Sequence, residues 1–223
     1  MIGRLRIPRA KPSQTAVTER EGIIKYRLDY TAATLERPED FAELNAWRGV
    51  LWRLGLIGQD DARYGGLGFG NVSLRLDEGG FLVTGTQTGH IPHLSFGHYV
   101  RVVEARPADN YLRALGPLPP SSEALTHAAV YGVSPRVRCV AHGHSPEIWR
   151  QATKLGLPTV GADIAYGTPA MAAAVSERVR LSPDGGIVAM LGHEDGLLAW
   201  GATPERTCWV LAGYLAKTWQ AME

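Results

Sequence analysis

Hydrophobic residues recur along this chain at two spacings, which predict helices and strands in mixed order. Spacings of three and four residues predict a helix that opens at 38–40 and ends at Gly55 or Gly58. Further helices are expected over about 123–131, 146–154, 169–180 and 204–219. Short apolar runs predict strands over 72–76, 81–84, 99–104, 137–141, 187–191 and 197–200. Because strands and helices do not alternate strictly, we expect an α/β fold of three αβα layers around a mixed or largely antiparallel central sheet.

The chain divides into a basic arm and one domain. Residues 39–223 are predicted to form a single domain, and residues 1–38 an N-terminal extension or arm. The arm contains eight Lys or Arg residues and four Asp or Glu residues. Partial alternation of apolar and polar residues over 22–30 favours a strand there. A basic arm of this size is typical of a solvated or subunit-wrapping segment.

The overall composition excludes several classes of protein. The 223 residues are 45% hydrophobic and 20% charged, with a net charge of +1. That balance fits one globular domain and argues against a nucleic-acid partner. Neither a membrane span nor a secretory signal is visible in the sequence. The two cysteines fall inside predicted elements, so we expect buried thiols in a reducing cytoplasm.

Two histidines flank one glycine directly after the apolar run at 137–141. Residues i and i+2 of a strand point to the same face, so His142 and His144 are predicted to project side by side. Such a pair either belongs to a transition-metal site or is solvated at a strand end. His193 follows a predicted strand, and Glu123 begins a predicted helix, where a carboxylate is also common without any ligand role. Together the four residues could form a set of three nitrogens and one oxygen for a divalent metal.

Small and hydroxylated residues predict a place for an anionic group of a substrate. Ser121 and Ser122 precede a predicted helix, whose free N–H groups and dipole favour anions. The Gly70-Asn71 turn and the 85–89 loop, which contains Thr88 and Gly89, allow close backbone approach. Taken singly, each feature is more often an ordinary cap or turn.

Several motifs resemble, in the same order, those of the class II aldolase/adducin family. The resemblance runs from about residue 39 to 218. Its motifs are Gly68-Phe69-Gly70-Asn71-Val72-Ser73-Leu74-Arg75, Phe81-Leu82-Val83-Thr84 with Thr88-Gly89, Pro120-Ser121-Ser122-Glu123 with His127, His142-Gly143-His144-Ser145, and His193 with Ala199-Trp200-Gly201. Within the family, residues 148–167 are most similar to ribulose-5-phosphate 4-epimerases, and fuculose-phosphate aldolases are also related.

The resemblance implies a metal-dependent enzyme of the aldolase or epimerase type. Such an enzyme cleaves or epimerises a small hydroxy-carbonyl compound, with sugar phosphates first, through a metal-stabilised enediolate. It implies that His142, His144, His193 and Glu123 bind the metal, for which zinc is expected first, before manganese, cobalt or iron. Glu123 would also carry a proton, and Asp163 matches the epimerase acid, which acts across a subunit interface. A cytoplasmic homotetramer with sites between subunits is expected.

Departures from the family pattern keep two alternatives open. Glu194 and Asp195 stand between His193 and the glycine that normally follows it directly. The epimerase lysine near the fLiTpsG segment has no counterpart, since Val83-Thr84-Gly85 stands there. A metal-dependent decarboxylase or dehydratase of the same family is therefore an alternative, and a non-catalytic binding module like the adducin head domain is another.

Overall fold

The computed structural model describes residues 22–221, which form one large sheet between helices. The strands are β1 Arg27–Ala32, β2 Gly58–Gln59, β3 Gly68–Phe69, β4 Asn71–Arg75, β5 Phe81–Thr84, β6 Tyr99–Arg106, β7 Tyr111–Gly116, β8 Cys139–His144, β9 Thr159–Val160, β10 Gly185–Met190 and β11 Gly196–Gly201. The α-helices are α1 Phe41–Arg53, α2 Ala124–Val133, α3 Pro146–Arg150, α4 Pro169–Leu181 and α5 Pro204–Gln220.

The central sheet is mixed and mostly antiparallel. Its nine strands lie in the order β1-β7-β6-β5-β4-β8-β11-β10-β9. Parallel pairing occurs between β1 and β7 and between β10 and β9, towards the two edges. The short strands β2 and β3 pair in a separate two-stranded sheet.

Helices cover both faces of this sheet. On one face α2 and α4 pack together against apolar side chains such as Val140 and Val188, which alternate with residues of the opposite face. On the other face α1 and α5 pack against residues such as Ala141 and Ala189. The three-layer αβα architecture with a mixed sheet, expected from the sequence, is confirmed.

Most predicted elements are present, with informative differences. The possible strand within 22–30 is present as β1, and it joins the edge of the sheet. Strand β7 was not predicted, although Leu112 and Ala114 are fully buried between less buried neighbours. Helix α3 ends at Arg150, before the predicted 154, because hydrogen-bonded turns occupy 151–156. Residues 1–21 of the predicted arm lie outside the described residues.

Two further expectations concern the cysteines and membrane-spanning helices. Cys139 and Cys208 are buried free thiols, as the sequence predicts. Within residues 22–221, no helix combines the length and the apolarity that a membrane-spanning segment needs.

A buried arginine of α1 holds the loop that follows β5. The side chain of Arg48 is almost fully buried, with 1% exposed. Its guanidinium donates to the carbonyl oxygens of Ile91 and Pro92 through Nη1, and to Thr88 (2.9 Å) through Nη2. The carbonyl of Thr88 also accepts from the backbone N–H of Ile91, and the Arg48 hydrogen bonds tie this loop to α1.

We predict that Arg48→Leu lowers the free energy of unfolding by about 3 kcal/mol, because the loop carbonyl oxygens lose the hydrogen bonds that the buried guanidinium donates. Urea denaturation followed by circular dichroism measures the change. The matched control is Arg53→Leu, the same substitution at an exposed position of the same helix. Equal stability of the two variants would show that the Arg48 hydrogen bonds do not hold the loop.

Candidate metal and substrate site

Strand pairing brings two histidines to the end of β8, on the face that α2 and α4 cover. His142 lies opposite Asn71 of β4 and Leu198 of β11, and His144 lies opposite Gly196. Both rings are fully buried, and they share a face because they are two residues apart in the strand. The predicted strand therefore extends through both histidines instead of ending before them.

The third histidine comes from the turn between β10 and β11. His193 is 2% exposed, and its backbone N–H donates to Met190. One ligand atom from each of His142, His144 and His193 lies within 4.8 Å of the others. The structure thus assembles the three histidines that the sequence proposed from distant segments.

The protonation of these rings suits a metal ion. His142 Nδ1 lies 2.9 Å from the carbonyl oxygen of Leu197, which can only accept, so Nδ1 carries the proton and Nε2 a lone pair. That Nε2 lies 3.0 Å from Nε2 of His144. Burial and the neighbouring His142 and His193 hold the pKa of His144 well below its usual range. Neutral imidazoles with converging nitrogens are the donor set that zinc and similar divalent ions prefer.

Aromatic rings enclose the histidines on several sides. The ring of Tyr166 stacks on His193, with centroids 4.4 Å apart, and His193 stacks on His142 at 4.9 Å. Tyr64 and Phe69 pack against His144, at 4.8 and 5.4 Å between ring centroids. These rings limit the rotation of each imidazole and exclude bulk water from the cluster.

Glu123 is buried at the amino end of α2, on the face of the sheet that carries the histidines. It is 0% exposed, and its backbone N–H donates to Ser121 Oγ (3.3 Å). The hydroxyl of Tyr26 donates to the carbonyl oxygen of Ser121 (2.7 Å), and besides burial the charge of Glu123 raises the pKa of Tyr26. Within residues 22–221, the set of ligand atoms within 4.8 Å of one another comprises the histidines without Glu123. A role of Glu123 as fourth ligand therefore stays a prediction.

His127 lies one turn after Glu123 in α2 and is also fully buried. Its Nδ1 lies 2.7 Å from the hydroxyl of Ser73, which also lies 2.7 Å from the hydroxyl of Tyr131. Burial lowers the pKa of His127 strongly, and the nearby His142 lowers it further. His127 thus connects β4 and α2 behind the histidine cluster.

The residues predicted to bind the anionic group of a substrate line one small cavity. Gly70, Asn71, Thr88, Gly89, Ser121 and Ser122 all lie around a cavity of about 20 Å³. Gly22 from the amino-terminal segment also lines it. Gly70 has a φ of +75°, and a Cβ there would lie 2.8 Å from Ile57, so only glycine fits. Asn71 Oδ1 is buried and has no hydrogen-bond partner within residues 22–221, which leaves an acceptor beside His142.

The predicted acid Asp163 lies in the loop between β9 and α4. Its side chain is exposed, and the residue of this loop that reaches the histidine cluster is Tyr166. The Tyr166 ring, which stacks on His193, also has the ammonium group of Lys25 at 3.5 Å from its centroid. A catalytic role of Asp163 stays a prediction.

Sequence reasoning missed a polar group that packs behind His144. Asp195 is 5% exposed, and its carboxylate accepts a hydrogen bond from the hydroxyl of Tyr64 (2.7 Å). Arg63 Nη2 lies 3.7 Å from the same carboxylate oxygen. The signal in the sequence was the pair Glu194-Asp195, which separates His193 from the glycine expected directly after it.

The mixed sheet between helices, with three buried histidines at one end of its central strands, is an arrangement suited to a metal-dependent enzyme. Sequence comparison gives the family. The sequence model of the class II aldolase and adducin N-terminal domain matches residues 60–218, more than half of the chain. The chain belongs to this family. Membership supports a lyase-type enzyme of the aldolase or epimerase kind. No curated protein sequence matches the chain significantly.

Solved structures of similar fold come from several bacteria. YgbL from Escherichia coli, for which an aldolase, epimerase or decarboxylase activity is suggested, is 18% identical with a TM-score of 0.58, over 79% of this chain and 84% of its own. L-fuculose-1-phosphate aldolase from Thermus thermophilus is 20% identical with a TM-score of 0.57, over 82% and 90% of the two chains. A sugar-phosphate aldolase from Thermotoga maritima is 15% identical with a TM-score of 0.58, over 81% and 93%. At these identities the similarity shows the shared fold alone.

We predict that His142→Ala abolishes binding of the single divalent ion expected per chain, because two imidazoles hold such an ion far more weakly than three. Elemental analysis after dialysis measures the bound metal, and circular dichroism checks the fold. The matched control is His93→Ala, which removes an exposed imidazole and should leave the metal content unchanged. Undiminished metal in the His142 variant would rule out this site.

Proposed function

We propose that the protein is a metal-dependent aldolase or epimerase. It acts on a small hydroxy-carbonyl compound, and sugar phosphates are the first substrate class to test. The observation that carries the proposal is the convergence of three buried imidazole nitrogens, because a purely structural relative has no need for such a set. Membership in the class II aldolase family supports the same type of chemistry.

The metal proposed for this site is zinc, with manganese, cobalt and iron as alternatives. His142, His144 and His193 would supply three nitrogen ligands, and Glu123 is proposed as a displaceable fourth ligand. A divalent ion there would supply Lewis-acid stabilisation of the oxyanion that develops when a carbon–carbon bond beside a carbonyl breaks.

Glu123 is the residue proposed to hold and move a proton. Its carboxyl group is buried at the amino end of α2, and a carboxylate held in a fixed position can accept a proton and return it. His127 lies one turn further along the helix and is fixed by Ser73, so this end of α2 has a rigid support. A rigid, dry environment keeps the carboxylate in one geometry through the reaction.

A second acid is proposed for the aldehyde side of the broken bond. Asp163 is exposed, so it could serve a site formed with another subunit, as the resemblance to epimerases implies. Tyr166 is the alternative within the same chain, because its ring stacks on His193. A phenol so close to the histidines can donate a proton without moving across the site.

The small cavity beside the histidines favours a second candidate function. The six residues predicted from the sequence, which are among those that line it, are proposed to bind an anionic group of the substrate through backbone N–H groups and hydroxyls. At about 20 Å³, however, it has room for roughly one water molecule. The cavity therefore favours a decarboxylase or dehydratase of small hydroxy acids as the alternative to a sugar-phosphate enzyme.

Assembly into a cytoplasmic homotetramer is proposed together with the activity. Large apolar side chains of α5 are exposed, among them Trp209 at 58% and Trp219 at 63%, as expected for a surface that another subunit covers. We expect light scattering on the purified protein to give the mass of four chains. A monomer would contradict both the tetramer and an acid supplied by a neighbouring subunit.

We predict that Glu123→Gln lowers the turnover number at least about 100-fold, because an amide cannot take up the proton that the carboxylate accepts. The assay follows aldehyde or carbon dioxide release by the zinc-loaded protein from a panel of ketose phosphates and hydroxy acids. The matched control is Glu177→Gln, whose side chain is 70% exposed in α4.

Two outcomes of this assay would count against the proposal. Full activity of the Glu123 variant would exclude it as the proton carrier. Absence of turnover on the whole panel, together with absence of bound metal, would instead favour a non-catalytic binding module of the same family.

A further inference from the structure

A cluster of Arg63, Tyr64 and Asp195 is built against the back of His144. Tyr64 and Asp195 both adopt left-handed backbone conformations, with φ of +51° and +60°, which side-chain-bearing residues rarely adopt. Their side chains are joined by the hydrogen bond from the Tyr64 hydroxyl to the Asp195 carboxylate. The carbonyl oxygen of Asp195 also accepts from the backbone N–H of Ser145, the neighbour of His144. Strained residues that hold each other beside a candidate site indicate a functional arrangement.

The guanidinium of Arg63 lies on the aromatic wall of the histidine cluster. Its central carbon is 4.8 Å from the ring centroid of Tyr64 and 4.9 Å from that of Phe69. Both rings pack against His144, and besides burial the charge of Arg63 contributes to the lowered pKa of that histidine. A permanent positive charge therefore lies one ring away from the proposed metal ligands.

Arg63 keeps hydrogen-bonding capacity for a ligand. Its bond to Tyr64 and its contact with Asp195 both use Nη2. Its Nη1 has no hydrogen-bond partner within the part of the chain that the structure describes, and it is not among the buried unpaired nitrogens, so it is open to a ligand. The residue lines an open cavity of about 770 Å³, together with Trp52, Phe69 and His90. Asp60 and Asp61 line the same cavity, but they are exposed to water, whereas Arg63 is partly buried.

We propose that Arg63 binds a carboxylate of the substrate, at the end remote from the group that the histidines hold. A guanidinium edge offers two parallel N–H donors, which match the two oxygens of a planar carboxylate. Asp195 and Tyr64 are positioning residues that hold the guanidinium in place. The inference rests on the proposed function of the histidine site, and it makes the substrate a hydroxy acid with a second acidic group.

Calorimetric titration of the zinc-loaded protein with paired probes tests this assignment. Malate, 2-hydroxyglutarate and 2-hydroxyadipate carry a second carboxylate at increasing distance, and lactate carries the 2-hydroxycarboxylate alone. We expect at least one of the three to bind about tenfold more tightly than lactate, the gain of one charge-assisted hydrogen-bonded pair. Arg63→Gln should remove this gain and leave lactate binding and metal content unchanged.

Three further variants keep the test specific. Arg150→Gln removes an exposed arginine of α3 and should change no affinity. Arg63→Lys keeps the charge but loses the two-pronged donor, so it should retain only part of the gain. Asp195→Asn should reduce the gain without affecting lactate, because it only loosens the guanidinium.

The outcomes distinguish failure of the Arg63 assignment from failure of the proposed function at the histidine site. If the protein binds lactate but none of the dicarboxylates more tightly, Arg63 is not a carboxylate receptor and the histidine site stands. A further probe, 3-phosphoglycerate, carries a phosphate in place of the second carboxylate. If Arg63→Gln weakens the binding of this probe only, the receptor is for phosphate and the carboxylate assignment is wrong. If none of these acids binds while a ketose phosphate is turned over, this assignment fails and the proposed function stands. If no ketose phosphate is turned over either, the proposed function fails and this assignment fails with it.

Discussion

The burial of three neutral imidazoles in contact with one another is the constraint on which this structure depends. A buried imidazole needs a partner for each nitrogen, and three adjacent charged rings would repel one another. The pairing of β8 with β11 meets part of this need, because it brings the carbonyl of Leu197 to His142 Nδ1. Burial lowers the pKa of His144, so this ring stays neutral and keeps a lone pair on one of its nitrogens. A divalent ion is the partner that satisfies such a cluster best.

The side chains and loops around the histidines meet this requirement for a dry and rigid cluster. Two aromatic rings, Tyr166 and Tyr64, pack against different histidines, and the loops that carry them are anchored by other segments. Arg48 fixes the loop that supplies Thr88 and Gly89 to the small cavity. Strand β8 and the turn between β10 and β11 thus carry the three histidines proposed as ligands, and the loops carry polar and aromatic groups that would select a substrate.

Prediction from the sequence succeeded where the information is local. The spacing of His142 and His144 and the apolar runs around them were enough to place both rings on one strand face. His193 and six of the residues that line the cavity were proposed from residue types at turns and element ends, and the resemblance in sequence motifs supported them. Strand β7 was missed although Leu112 and Ala114 alternate as a strand requires.

Contacts between distant loops could not be read from the sequence. Tyr166 stacks on His193, and the ammonium group of Lys25 makes a cation–π contact with Tyr166. Both contacts depend on how three separate segments of the chain meet. The bond between Tyr64 and Asp195 joins residues 131 positions apart, and nothing in either local pattern indicates the other. Such contacts depend on tertiary packing, which spacing and propensity do not encode.

X-ray absorption at the zinc edge of the purified, zinc-loaded protein tests the central claim most directly. The account predicts three imidazole nitrogens at about 2.0 Å and one oxygen ligand, with the multiple-scattering features of histidine rings. A first shell of six oxygens, or zinc that dialysis removes from the wild-type chain, would contradict a metal site at the three histidines.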